Sequence, residues 1–192
     1  MVITHPNTIC STAHVHPNNS NQPPSNPIVV GWGLIISIAM KQYHGTDSLA
    51  AKEISTGKID ITKGGGELGR GFYVGDLMHR AFCWAWHKAQ HDYAVVEFVI
   101  NDEDFLKLDI LCLDRRKASD LKYEIKRNHQ QRFFVFGQDV VWAPIVGQDI
   151  PHFNQIKFES AKGQSFINYT TKYIIWRYEI QYSILYDPFH RG

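Results

Sequence analysis

The sequence predicts an α+β domain, on two observations. Strand-like apolar runs and helix-spaced segments intermix without the regular strand–helix–strand alternation of a parallel α/β sheet. Aromatic residues make up 13% of the 192 residues, which favours a sheet-rich core. At roughly 150 residues per domain, the length fits one domain with a tail. Hydrophobic residues at 44% and charged residues at 20% exclude a wholly disordered chain. Twenty basic against nineteen acidic residues leave a net charge of +1, so global charge points to neither nucleic acid nor a membrane.

Residues 1–27 are rich in Pro, Asn and Ser and lack apolar periodicity. They read as a disordered tail or extension that buries too little surface to offset its ordering entropy. Its His14 and His16 make a poor metal pair on an unstructured segment. Residues 28–40 (IVVGWGLIISIAM) are apolar or small, too short to span a bilayer and without a basic lead-in or cleavage site, so they read as a buried strand. Met40 is an alternative natural start, since MKQYHGT reads like the opening of a compact domain. The expected layout is the tail followed by a single domain over 28–192, with its compact core over about 40–186.

Asp47 or Ser48 caps a short helix through Ile54, stopped by Gly57. Five glycines over 60–71 predict a flexible loop. Leu77, Ala81, Trp84, Ala85 and Lys88 recur at helical spacing over 76–89, with Asp76 as candidate N-cap. Tyr93–Ile100 and Phe105–Leu113 read as strands. Residues 114–131 read as a basic helix with Ala118, Leu121 and Ile125 on one face. Asn154–Phe158 is a short strand, a helix follows over 160–169, and Tyr173–Tyr186 alternates as a long strand. The expected core comprises Ile35, Ile36, Ala81, Trp84, Val95, Phe98, Leu108, Ile110, Val135, Ile156, Phe158, Ile174 and Ile180. Cys83 and Cys112 lie in apolar runs and read as a pair of small reduced core residues of a cytoplasmic protein; the three cysteines, Cys10 included, show no metal-ligand spacing.

Three segments stand out together: Tyr43-His44-Gly45-Thr46 after a strand-like run, Gly69-Arg70-Gly71-Phe72-Tyr73 before a helix holding Ala81, Trp84 and Ala85, and Asn154-Gln155-Ile156-Lys157-Phe158 about 80 residues later. The glycine loop lacks G-x-x-x-x-G-K-S/T and the strand–GxGxxG–helix order, so neither a P-loop nor a Rossmann site is supported. In order and spacing the three segments resemble the ADP-ribosyltransferase superfamily, in its diphtheria-toxin and poly(ADP-ribose) polymerase branch with an H–Y–E triad, and most of all small bacterial and phage domains of toxin type. The resemblance covers roughly residues 40–170.

The resemblance implies a fold of two roughly perpendicular antiparallel sheets, split around a central NAD cleft and surrounded by helices. It implies an NAD-dependent mono-ADP-ribosyltransferase that releases nicotinamide and modifies a macromolecular acceptor, whether protein, RNA or DNA. Such domains serve as toxins of toxin–antitoxin or phage-defence systems, which makes an antitoxin protein an implied partner. His44 would hold a ribose hydroxyl, Gly45 would offer its backbone to the carboxamide with the Thr46 hydroxyl nearby, and Tyr73 would stack on the nicotinamide beside Gly71 and Phe72. Gln155 stands at the position of the catalytic glutamate. No metal and no membrane enters this reading.

The residue types suit that chemistry. Glycine lets a backbone approach a planar ligand, and an aromatic face attracts a cationic ring by about 0.5–2 kcal/mol. The departure is Gln155. Cleaving the nicotinamide–ribose bond builds positive charge at the ribose, which a carboxylate stabilises and a carboxamide does not. A neutral residue there favours single transfer over chain elongation, which needs a base. Glu159 alternates onto the Gln155 face about 13 Å along the strand, too far to replace it but placed to contact an acceptor. Seven basic and three acidic residues over 114–132 give a local +4; Arg115, Arg116 and Lys126 are candidates for guiding the acceptor. The alternatives are a catalytically weak NAD- or nucleic-acid-binding module of the same fold, an NAD glycohydrolase with water as acceptor, and a partner-binding domain without a ligand.

Overall fold

The computed structural model describes residues 39–147 and 153–176. The elements run β1 (Ala39–Asp47), α1 (Ser48–Ser55), β2 (Phe72–Gly75), α2 (Met78–Ala89), β3 (Tyr93–Asn101), α3 (Asp102–Phe105), β4 (Ile110–Cys112), α4 (Arg115–Arg127), β5 (Val140–Pro144), β6 (Asn154–Phe158), α5 (Ala161–Tyr169) and β7 (Thr171–Trp176). The protein is thus α+β, with one seven-stranded sheet in the order β4-β5-β6-β2-β1-β3-β7.

Where two antiparallel sheets are expected, the described strands are joined into one sheet. Its strands form one hydrogen-bonded series, and β4 runs parallel to β5 because α4 carries the chain across between them. One joint is much thinner than the rest. β1 pairs with β3 over nine residues, from Ala39↔Asn101 to Asp47↔Tyr93, but with β2 only at Tyr43↔Gly75. On the far side, β2 pairs along its whole length with β6, from Phe72↔Phe158 to Gly75↔Gln155. The sheet therefore has a seam between β1 and β2.

Alternation within the strands feeds two apolar layers. On one face Phe72, Val74, Val96, Phe98, Ile100, Ile156 and Phe158 pack with Ala51 and Ile54 of α1, Phe105 of α3 and Ile167 of α5. On the other, Val95 meets Phe82 of α2, and Val141 and Ala143 meet Ala118 of α4. Burying each large side chain such as Phe98 or Phe158 contributes about 1.5–3 kcal/mol.

Local signals placed most helix starts. Asp47, Asp114 and Ser160 accept from the N–H groups of Ala50, Lys117 and Gly163, capping α1, α4 and α5. Asp76 does not cap α2. The cap position is Leu77, with no side-chain hydrogen bond, and Asp76 Oδ2 instead accepts from the backbone N and Nδ2 of Asn154, both at 3.1 Å. The strand expected over Phe105–Leu113 shrinks to Ile110–Cys112. Asn101 caps a turn whose first three residues, Asp102, Glu103 and Asp104, suit a helix N-terminus, and strand geometry resumes only after it.

The core expectation needs three corrections. Trp84 is 55% exposed, because Phe82 and Ala85 take the sheet-facing side of α2; Lys88 Nζ sits 4.8 Å from its ring centre. Val135 is exposed because Phe134 and Phe136, its neighbours, turn to each other with ring centres 4.9 Å apart. Cys112 is exposed at the end of the edge strand β4, and Cys83 is partly buried. Ala81, Ile110 and Ile174 are partly buried against the core, and Val95, Phe98, Leu108, Ile156 and Phe158 are buried. The tail over 1–27, the run over 28–38, Ile35, Ile36, Ile180 and the part of the last strand over 177–186 lie outside the described residues. Met40 already lies inside β1, opposite Ile100.

Candidate functional site

The seam brings two of the three segments together. His44 leaves β1 just beyond the last β1–β2 pair, and its Nδ1 lies 2.7 Å from the Tyr73 carbonyl on β2. A carbonyl only accepts, so Nδ1 carries the proton and Nε2 keeps its lone pair. The ring stacks on Phe72 with centroids 4.5 Å apart and planes 29° apart. Burial pushes the imidazole below its ordinary pKa, against the opposing effect of the Tyr73 carbonyl. His44 is therefore a neutral ring with one committed donor and one acceptor nitrogen, suited to receive a hydroxyl proton in a hydrogen bond. Thr46 follows two residues on, on the same strand face and partly buried.

Gly45 has a structural reason of its own. A Cβ there would lie 1.8 Å from the Ala81 carbonyl oxygen and 3.1 Å from Ala85 Cβ. α2 thus presses onto β1 at this residue, and Ala81 and Ala85, one turn apart, supply the small surface that permits it. The close approach fixes the strand that carries His44 against the helix that follows the second segment.

Tyr73 points to the opposite sheet face from Phe72, as the alternation of β2 requires. Its hydroxyl donates to the Gly69 carbonyl at 2.6 Å, and its pKa is pushed far up by burial. Gly66 lies against the ring: a Cβ there would come within 2.8 Å of the ring carbon Cζ. The stretch over 60–71, expected as a flexible loop, is packed instead. Gly66 and Gly69 bond each other across a tight turn, Arg70 N donates to the Phe134 carbonyl at 2.8 Å, and Leu68 is fully buried. Gly71 closes the stretch where a Cβ would strike the Phe158 carbonyl oxygen at 2.7 Å and the Lys157 stem.

Gln155 stands opposite Gly75 of β2 on one side and Ala143 of β5 on the other. It is 7% exposed, and its buried Nε2 has no hydrogen-bond partner among the described residues. Lys157 and Glu159 share its face. Lys157 Nζ lies 2.5 Å from Glu159 Oε2 and donates to the Leu68 carbonyl at 2.7 Å, while Glu159 Oε1 accepts from the backbone N–H groups of Phe136 and Gln138. Both are buried, and burial lowers the lysine pKa against the pull of Glu159. Glu159 is thus an internal counter-charge that ties β6 to the segment before β5, with its oxygens turned to the protein.

Arg115, Arg116 and Lys126 lie elsewhere, on α4 beside β5, two strands from β2. Arg115 and Arg116 border an open groove of about 460 Å³ together with Lys122, Tyr123 and Val146. Lys122 is held there by Glu67 at 2.7 Å. The structure thus brings all five to the strands about the seam, His44 and Phe72 on one sheet face and Gly45, Tyr73 and Gln155 on the other, and leaves the basic residues apart.

Sequence reading quotes Tyr43 and Lys157 within their segments without giving them a role, and does not name Gly75. Lys157 had a signal in the alternation of QIKFE, which puts a lysine and a glutamate on one face of an apolar strand. Tyr43 and Gly75 matter only through their pairing across the chain, which no local pattern records.

The chain matches no family model and no curated protein. No helix among the described residues is long and apolar enough to cross a membrane.

Proposed function

We propose that the protein is an NAD-dependent mono-ADP-ribosyltransferase, a toxin or effector of the split-sheet type, which transfers one ADP-ribose to a macromolecular acceptor and releases nicotinamide. The observation that carries the reading is the contact of His44 with the Tyr73 carbonyl at a one-pair seam, one strand away from a buried Gln155 whose Nε2 has no partner among the described residues. Two segments 29 positions apart meet where the sheet is thinnest, and the third pairs on the next strand with a carboxamide in place of a carboxylate. That seam also supports the split-sheet fold.

The residues present fit the donor. His44 offers a neutral acceptor nitrogen to a ribose hydroxyl, held by a donor bond that fixes its tautomer. Tyr73 offers an aromatic face whose position is set by the Gly69 carbonyl. Gln155 holds a hydroxyl by hydrogen bonding and supplies no negative charge, so the electrostatic help to charge build-up at the ribose is smaller than a carboxylate gives. NAD brings the leaving group; in this reading the chain binds it and orients it.

The test is transfer of label from adenylate-labelled NAD into a cell lysate by wild type, His44→Ala and Tyr73→Ala, with products divided by nuclease and protease digestion. Label with wild type alone, removed by one of the two digestions, supports the reading and gives the acceptor class. NAD binding with no nicotinamide release overturns it in favour of a binding module, the second reading that the neutral Gln155 favours. Nicotinamide release without label on a macromolecule makes the protein a glycohydrolase.

A further inference from the structure

We propose that Gly75 is a specificity-determining residue, kept as glycine by the ligand and not by the fold. The inference rests on the functional reading above and adds to it the residue that keeps the reacting end of the substrate in place. It comes from comparing the glycines. Gly45, Gly57, Gly64, Gly65, Gly66, Gly69, Gly71 and Gly163 each have an atom within 3.0 Å of where a Cβ would stand. Gly137 has a φ of +84°, a conformation that side chains disfavour. Gly147 aside, Gly75 alone among the described glycines has neither reason. Its backbone is that of an ordinary strand, and a Cβ would meet only the Asn154 carbonyl oxygen, at a relaxed 3.5 Å.

A glycine inside a strand weakens it and, where nothing in the fold requires it, marks a place where something else comes close. The place here is specific. Gly75 is the one residue of β2 that pairs with β1, and it pairs with β6 as well, so Tyr43, Gly75 and Gln155 form one row on one face of the sheet. The missing side chain opens a slot in that row between a tyrosine and a carboxamide. Gln155 is more than nine-tenths buried, and its Nε2 finds no partner among the described residues. A buried polar atom without a partner costs stability, which is recovered when a ligand supplies the partner. The slot thus fits a thin, planar group with a hydrogen-bonding edge facing Gln155, and a β-branched side chain at 75 would fill it.

The experiment uses the full chain with Gly75→Ala and Gly75→Val, reading thermal unfolding and the binding of NAD, nicotinamide and ADP-ribose by calorimetry. Both variants are expected to unfold at or above the wild-type temperature, since strand propensity rises and a Cβ at 75 meets only the Asn154 carbonyl oxygen at 3.5 Å. Affinity for NAD is expected to fall roughly tenfold for alanine, the low end of what one added methylene does in a pocket, and further for valine. ADP-ribose or nicotinamide, whichever leaves the slot empty, is expected to keep its affinity. Equal NAD affinity in all three proteins overturns the slot and leaves the functional reading standing. A marked loss of stability in the valine variant also overturns it, since the chain itself would then fill the space. Wild type that binds none of the three probes overturns the functional reading, and the slot with it.

Discussion

The His44 imidazole takes the place of a strand partner: its Nδ1, 2.7 Å from the Tyr73 carbonyl, spans the seam where β1 and β2 share only the Tyr43↔Gly75 pair. One side chain does here what a backbone N–H does elsewhere in the sheet. His44→Ala leaves a partly buried carbonyl without its donor and is expected to cost about 1–3 kcal/mol. Denaturant unfolding of the variant measures it. A loss below 0.5 kcal/mol, of the order of an ordinary surface change, would show that water replaces the ring and that the seam does not need it.

Acid is expected to weaken the same contact. Burial lowers the His44 pKa below the ordinary 6.5, so between the folded value and 6.5 the unfolded chain binds more protons. Stability attributable to His44 is therefore complete above 6.5 and declines as the pH falls through the interval below it. His44→Gln has no proton to take up. The difference in unfolding free energy between wild type and this variant should shrink between pH 8 and pH 5; a difference constant with pH would mean that the ring titrates alike in both states.

Gly45→Ala tests the seat of α2. The added methyl would lie 1.8 Å from the Ala81 carbonyl oxygen, a backbone atom that moves only if the helix does. Overpacking of this kind costs typically 1–3 kcal/mol and occasionally more, and a backbone clash belongs at the upper end. Thermal unfolding beside Gly75→Ala is the check, because the two substitutions add the same atom to neighbouring strands. Equal melting temperatures would refute the account of both glycines.

Gln155→Glu is expected to raise nicotinamide release from NAD by roughly a hundredfold, the low end of the scale on which one well-placed electrostatic group acts. Single-turnover release measures the chemical step apart from product departure. An unchanged or lower rate would mean that the carboxamide is the group this site is built around, and would strengthen the reading as a binding module.

What the sequence made legible was local. Asp47, Asp114 and Ser160 announced their helices, and NQIKF its strand, because caps and alternation act within a few residues. The three segments were legible as a set, but not their geometry: His44 and Tyr73 are 29 positions apart, and only the sheet order makes them neighbours. Two errors share one cause. Trp84 was read from helical spacing as core, and the glycine loop from composition as a flexible connection. Yet the neighbours decide: Gly45 demands the small residues of α2 and leaves Trp84 outside, while Tyr73, Lys157 and Phe134 give the glycines something to pack against. The ion pair of β6 was hidden for the same reason, since burial of a lysine is set by what lies above its strand.

That pair supports the last prediction. Lys157 and Glu159 are buried, 2.5 Å apart, with the remaining carboxylate oxygen on two N–H groups and the ammonium on the Leu68 carbonyl. Glu159→Gln keeps an acceptor for Phe136 and Gln138 but leaves Lys157 charged in an apolar setting. Breaking a buried pair in this way costs about 3–5 kcal/mol. Lys157→Met strands the carboxylate in turn. The double variant removes both charges together, and a buried pair replaced as a whole is often neutral. The double variant should therefore be more stable than the sum of the single losses by well over the ~0.5 kcal/mol within which independent sites add. A complete double-mutant cycle in denaturant decides it: additive losses would mean that the two charges are stabilised separately, each by its backbone partners, and that their contact contributes nothing.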